Sequence, residues 1–169
     1  MDAREAQACL RILLAVARAD GSLDDDEHHA ISLLASAADL PTPRRKEPLD
    51  VDAEIAAIQS ADARRATFEA AVAIASLDGR CTKEEHALLE HLQRGFGLGG
   101  SLELQAEEEA WVAKLREPRR ILAQATVEFL RAVAEARKSG ALSQERYEEL
   151  VSRLRDQRTR ALEGALPRS

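Results

Sequence analysis

The chain has 169 residues, 45% of them apolar but only 3% aromatic, with 32% charged and a net charge of −6. That length is enough for a sizeable core. With so few aromatics the core must be built from Ala, Leu, Ile and Val, which suits closely packed helices better than sheets. Residues 1–100 carry 18 acidic and 11 basic side chains and the remainder 12 and 13, so the N-terminal part lacks the basic surface that a nucleic-acid backbone demands.

Residues 3–19 place Ala6, Cys9, Leu10, Leu13, Leu14 and Ala17 at helical spacing. Gly21 stops this helix, because glycine tolerates the left-handed conformation past a helix end. Asp24 is positioned to cap the next helix with Glu27 three residues on, a capping-box spacing. That helix presents Ile31, Leu34, Ala35 and Ala38 on one face and ends before Pro41. Residues 39–49 hold three of the five prolines and form a loop. A short helix is expected at about 51–59, with Ile55 and Ile58 facing inward. A longer one follows at about 62–77, with Phe68, Val72 and Ala75 on one face, stopped by Gly79. Thr82 then caps a helix with Glu85 at the third position and Leu88, Leu89, Leu92 and Phe96 as its stripe. Beyond the glycine run ending at Gly100, three helices are expected at about 101–116, 119–138 and 143–163. Pro118 would sit in the first turn of the second, where a missing N–H costs nothing.

The predicted fold is therefore all-α, with about eight short helices. A helical domain spans residues 1–99, with repeats at about 3–40 and 61–98, and a three-helix extension spans 101–169. The division rests on an internal repeat. At a constant offset of 58, Asp20 falls on Asp78, Gly21 on Gly79, Asp26 on Glu84, Glu27 on Glu85 and His28 on His86. Ala15, Ala17 and Leu34 fall likewise on Ala73, Ala75 and Leu92. Such self-similarity marks a duplicated helix-turn-helix unit. Ser139 to Ser143 echoes the same turn without the acids.

The acidic turns admit two readings. If Val16 is position 1 of a calcium loop, Asp20, Gly21, Ser22, Asp24 and Glu27 fill its second half, and Asp78, Gly79, Arg80, Thr82 and Glu85 fill the equivalent slots of the second copy. Carboxylates and turn carbonyls suit a hard divalent cation, Ca²⁺, Mg²⁺ or Mn²⁺. The first half of each loop is missing, so a site needs waters or the two turns meeting. The candidate ligands are Asp20, Asp24, Glu27, Asp78 and Glu85. In the other reading these residues are helix caps that complement the helix dipole, with Leu23 and Cys81 tucked into the core. Capping leaves one feature over, a carboxylate at both 20 and 78, beside a helix C-terminus where the dipole disfavours it.

The motif Ala-Asp-Gly-x-x-x-x-x-Glu after an Ala-rich helix, doubled and ending in Gly95-Phe-Gly-Leu98, resembles the TerB-like domains of the tellurite-resistance family over about residues 5–98. These are related to the N-terminal cytoplasmic part of some membrane-anchored J-domain co-chaperones. The resemblance implies an all-helical, two-halved, non-enzymatic stress-response module with divalent-metal binding at Asp20, Glu27, Asp78 and Glu85. The second copy departs from the family with Leu77 for Ala, and its Lys83 opposes a cation.

The other motifs are weaker. His28, His29, His86 and His91 read as surface histidines, since no paired metal spacing appears. No nucleophile or cofactor fingerprint stands out, so an enzyme is not expected. The arginines of the last helix are interspersed with acids and read as a salt-bridged face. The alternative function is a protein-interaction module in which the acidic turns only cap helices and the C-terminal helices bind a partner or a second copy. Cys9 and Cys81 form no disulfide framework, and neither a signal peptide nor a membrane-length apolar run is seen. The expectation is a reduced cytoplasmic protein without membrane insertion.

Overall fold

The computed structural model describes residues 1–77 and 81–166, the side chains of Ser101 and Leu102 excepted. Among these residues the chain is all-α, with seven helices and no strand: α1 (Ala3–Ala17), α2 (Asp25–Ala37), α3 (Val51–Ala57), α4 (Ala61–Ala75), α5 (Lys83–Phe96), α6 (Ser101–Lys138) and α7 (Gln144–Ala165). No helix among them is long and apolar enough to cross a membrane.

Two helices form the centre of the N-terminal core. α1 buries Leu10, Ile12, Leu13, Leu14, Val16 and Ala17, so it is apolar around most of its circumference, as a helix packed on several sides must be. It contacts α2, α3, α4 and α5. α4 is its counterpart: Ala70 through Ala75 are all buried, and Phe68 fills the space that these small side chains leave. The alanine content noted in the sequence thus serves close packing between α1 and α4. α2 and α5 bury one face each, through Ala30, Ile31 and Ala35 and through Leu89, Leu92 and Phe96.

One carboxylate joins the starts of the two central helices. Asp2 caps α1 and forms a capping box with Glu5. The same Glu5 carboxylate accepts the backbone N–H groups of Gln59 at 3.0 Å and Ser60 at 2.8 Å, and Ser60 is the N-cap of α4. The N–H donors of Ser60 and Gln59 outweigh the cost of burial, with further help from Asp2 N–H and the Ser60 hydroxyl, and hold the Glu5 carboxyl at about 2. Arg11 pairs with Glu47 of the proline-rich loop at 3.1 Å and with Glu54 of α3 at 3.3 Å. Arg18 also donates to the Glu47 carbonyl at 3.0 Å.

α5 ends at Gly97, which adopts the left-handed conformation at φ +70°. Two residues earlier Gly95 lets α5 approach α3: a Cβ there would lie 3.0 Å from Ile55 Cγ2 and 3.1 Å from its Cδ1. Gly95→Leu should therefore overpack this contact and destabilise the protein by about 1–3 kcal/mol in urea unfolding. An unchanged midpoint would mean that α3 moves aside freely.

The last third departs from the expected three helices. Residues 101–138 form one continuous helix, with Pro118 inside it. The proline removes the N–H that would bond to the Lys114 carbonyl. Lys114 is exposed, so water can satisfy that carbonyl, and the flanking residues are strong helix formers. The chain divides into two compact units, Met1–Leu115 together with Leu166, and Arg116–Ala165. In the first, the opening stretch of α6 buries Leu104, Trp111 and Leu115, and Arg65 of α4 pairs with Glu107 at 2.5 Å. In the second, the rest of α6 meets α7 through Phe129 and Tyr147, whose ring centroids lie 6.2 Å apart. Gly140, at φ +68°, makes the turn between them, and Ser143 Oγ accepts the Arg146 N–H at 3.1 Å. A helix-turn-helix forms here with Ser139 and Arg146 where the repeats carry Asp20 and Glu27.

Candidate functional site

The first acidic turn is built by side chains folding back on their own backbone. α1 runs through Ala17 and buries Val16, so the opening half of a calcium loop is helix. Asp20 Oδ1 accepts both the backbone N–H and the hydroxyl of Ser22 at 2.8 Å, closing a tight turn around Gly21 at φ +89°. This gives Asp20 a structural role that the helix dipole alone would not predict. Asp24 caps α2, accepting the Glu27 N–H at 2.8 Å, while Glu27 Oε2 accepts the Asp24 N–H at 3.0 Å.

The second turn repeats the cap. Thr82 Oγ1 accepts the Glu85 N–H at 3.2 Å, and Glu85 Oε2 accepts the Thr82 N–H at 2.7 Å. Asp78, Gly79 and Arg80 lie outside the described residues. Leu23 and Cys81, expected in the core, are both half-buried, because each stands in the turn just before a cap, at the rim of the packed region.

The two capping glutamates are buried, Glu27 with 8% and Glu85 with 5% of their surface exposed. Burial pushes the Glu27 carboxyl up to about 8, against the favourable Asp24 N–H, and the charges of Asp24, Glu85 and Asp20 push in the same direction as burial. Three of the other expected ligands thus act on Glu27 through their charges, among them the equivalent glutamate of the second repeat. Their oxygens do not converge, however. Among the described residues, the one set of three or more potential donors lying within 4.8 Å of one another is Cys81, His86 and Glu108.

No sequence motif points to that cluster. His86 Nδ1 lies 2.9 Å from Glu108 Oε1, and the other ring nitrogen lies 3.6 Å from Glu90 Oε1. His86 is half-buried and within hydrogen-bond distance of Glu108. A pocket of ≈ 300 Å³ opens here, lined by Cys81, Lys83, His86, Glu90 and Glu108 among others. The spacing of Cys81 and His86 around the Thr82 cap is visible in the sequence. Glu108 is not, because only the packing of α6 brings it to the turn.

No family model matches the chain, and neither does a curated protein or a solved structure.

Proposed function

We propose that this protein is a non-enzymatic, TerB-like binding module of the cytoplasm that takes up a hard divalent cation, Ca²⁺, Mg²⁺ or Mn²⁺, at its repeated acidic turns. In this reading α1–α2 and α4–α5 are duplicated halves, and the stress-response role is the one the resemblance implies. Asp20, Asp24, Glu27 and Glu85 supply the field, with Asp78 as the repeat partner of Asp20.

The observation that carries the reading is the burial of the two repeat-equivalent glutamates within reach of each other's charge. A helix cap needs only a hydrogen bond at the surface, and at Ser143 a hydroxyl alone supplies it. A divalent cation is attracted to carboxylates that share one field, and on binding it takes the place of the proton that burial keeps on Glu27.

Thermal unfolding of the chelator-treated protein, with and without each ion, tests the proposal. An ion at about 100 times its dissociation constant should add about 2.7 kcal/mol of stability. Asp20→Asn, which can keep the turn around Gly21, and Glu85→Gln, which can keep the cap, should each lose most of that gain. If no ion moves the midpoint of the wild type, the acids are caps alone.

A second reading, a docking module for a protein partner or a second copy, draws on the Arg116–Ala165 unit. There Val127 and Leu130, one helical turn apart on α6, are 54% and 59% exposed, an apolar pair of the kind that association covers.

A further inference from the structure

We propose that Cys81, His86 and Glu108 form a separate site for a borderline-soft divalent ion such as Zn²⁺, completed by a solvent-derived fourth ligand. It would be independent of the hard-cation site proposed at the acidic turns.

The donor set fits the ion. Thiolate, imidazole and carboxylate are the three side-chain types that zinc takes, at about 2.3 Å for sulfur and about 2.0–2.2 Å for nitrogen and oxygen. Donors sharing one tetrahedral zinc therefore stand roughly 3.3–3.7 Å apart by these bond lengths. The three ligand atoms here already lie within 4.8 Å of one another. The pair formed by His86 Nδ1 and Glu108 Oε1, at 2.9 Å, is slightly closer than two ligands of one ion. Admitting the ion asks this pair to part by a few tenths of an ångström and the thiol to close in by up to about an ångström, which side-chain rotation can supply.

The surroundings also fit. With Nδ1 on the metal, Nε2 stands 3.6 Å from Glu90 Oε1, one turn further along α5, so a small side-chain rotation brings this carboxylate into hydrogen-bond reach. A carboxylate behind a ligating histidine fixes the ring's tautomer and orientation and raises its basicity. Three protein ligands leave a fourth position open, and the pocket of ≈ 300 Å³ gives it solvent. Lys83 lines the same pocket, but its side chain is exposed and its flexible stem can carry the ammonium outward.

Capping cannot account for this convergence. The box uses Thr82 and Glu85, and neither belongs to the cluster. In the first turn Leu23 occupies the slot of Cys81, so the thiol is a feature of the second copy alone. Glu108 arrives from α6, outside the repeat.

The test is cobalt substitution on the chelator-treated full chain, followed by zinc competition. One equivalent of Co²⁺ should give a thiolate-to-cobalt charge-transfer absorption and the intense visible bands of four-coordinate cobalt. Zn²⁺ should displace both; the thiol proton is released at the earlier step, when the first ion binds the metal-free protein. Cys81→Ser should abolish the charge-transfer band. His86→Gln and Glu108→Gln should each weaken zinc, measured against a chromophoric chelator, by at least the roughly 10–100-fold typical of a lost outer-shell partner. Circular dichroism must show the helices intact in all three. Bound zinc should also protect Cys81 from iodoacetamide; Cys9, whose thiol burial pushes up, is the internal reference. Cys9→Ser and Glu27→Gln should leave the cobalt spectrum unchanged. The proposal fails if the wild type gives no charge-transfer band or if the band survives Cys81→Ser. It also fails if both His86→Gln and Glu108→Gln keep zinc affinity within about twofold. Loss of zinc binding in Glu27→Gln would assign the ion to the acidic turns instead. A gain from Ca²⁺, Mg²⁺ or Mn²⁺ that survives Cys81→Ser keeps the two sites separable.

Discussion

Glu27→Gln should make the cation-free protein more stable at pH 9 and should flatten its stability between about pH 5 and pH 8. The Glu27 carboxyl titrates near its ordinary value of 4.5 in the unfolded chain and at about 8 in the folded one. Between those values the folded state holds a proton that the unfolded state has released. Stability must then fall as pH rises through this window and level off above it. The full difference, at 1.36 kcal/mol per pH unit, is an upper bound, because the turn is near solvent and its charges are screened. A gain of about 2 kcal/mol at pH 9 is the expected scale, or several degrees in a chain of this size. Glutamine keeps a side-chain carbonyl for the Asp24 N–H, so the cap survives the change. Urea unfolding at pH 5, 7 and 9 measures the effect, and a wild type with no fall in stability across that window would show Glu27 to be ionised throughout. The same proton bears on cation binding. At pH 7 an ion seated on Glu27 has to displace it, so the binding enthalpy measured by calorimetry should depend on the buffer.

Glu5→Ala should lower the melting midpoint by roughly 5–10 °C. The substitution breaks the capping box of α1 and also strips the acceptor from the backbone donors of Gln59 and Ser60 at the start of α4. Donors left unpaired away from water cost more than the hydrogen bonds themselves contributed. Glu5→Gln, which keeps one carbonyl oxygen, should fall between alanine and the wild type. The acid limb has the opposite sign to that of Glu27. The Glu5 carboxyl is held at about 2, so its contribution is in full force above its ordinary value of 4.5 and is lost as pH falls through about 2. The difference in midpoint between wild type and Glu5→Gln should therefore shrink between pH 5 and pH 2. A constant difference would mean that the carboxylate charge plays no part.

Both residues occupy capping boxes, and their contrast shows how far the sequence can be read. Asp24 with Glu27 and Thr82 with Glu85 are legible as caps from spacing alone, because a cap is a contact between residues three apart on a chain whose local geometry is already known. The same holds for Gly21 and for the helical stripes of α1, α4 and α5. Pro118 misleads, because a proline signals a lost hydrogen bond but not whether water and strong helix formers on either side make the loss tolerable. At the site, the five acids stand out as a pattern, but the carboxylate of Asp20, unexplained by capping, turns out to hold the Ser22 N–H and hydroxyl. Neither spacing nor composition could say that Glu27 would be buried and would feel the charge of Glu85.

The amino-acid order by itself determined the all-α class, the turns and their caps, since these depend on interactions within a few residues and on the helical period. Only the tertiary structure decided what each carboxylate experiences. Packing joined Glu5 to the start of α4, set Glu27 in the field of Glu85, and carried Glu108 from α6 to Cys81 and His86. Desolvation and convergence are properties of neighbours distant in sequence. Those neighbours were chosen by α1 packing on α4 and by the opening stretch of α6 reaching α4 and α5.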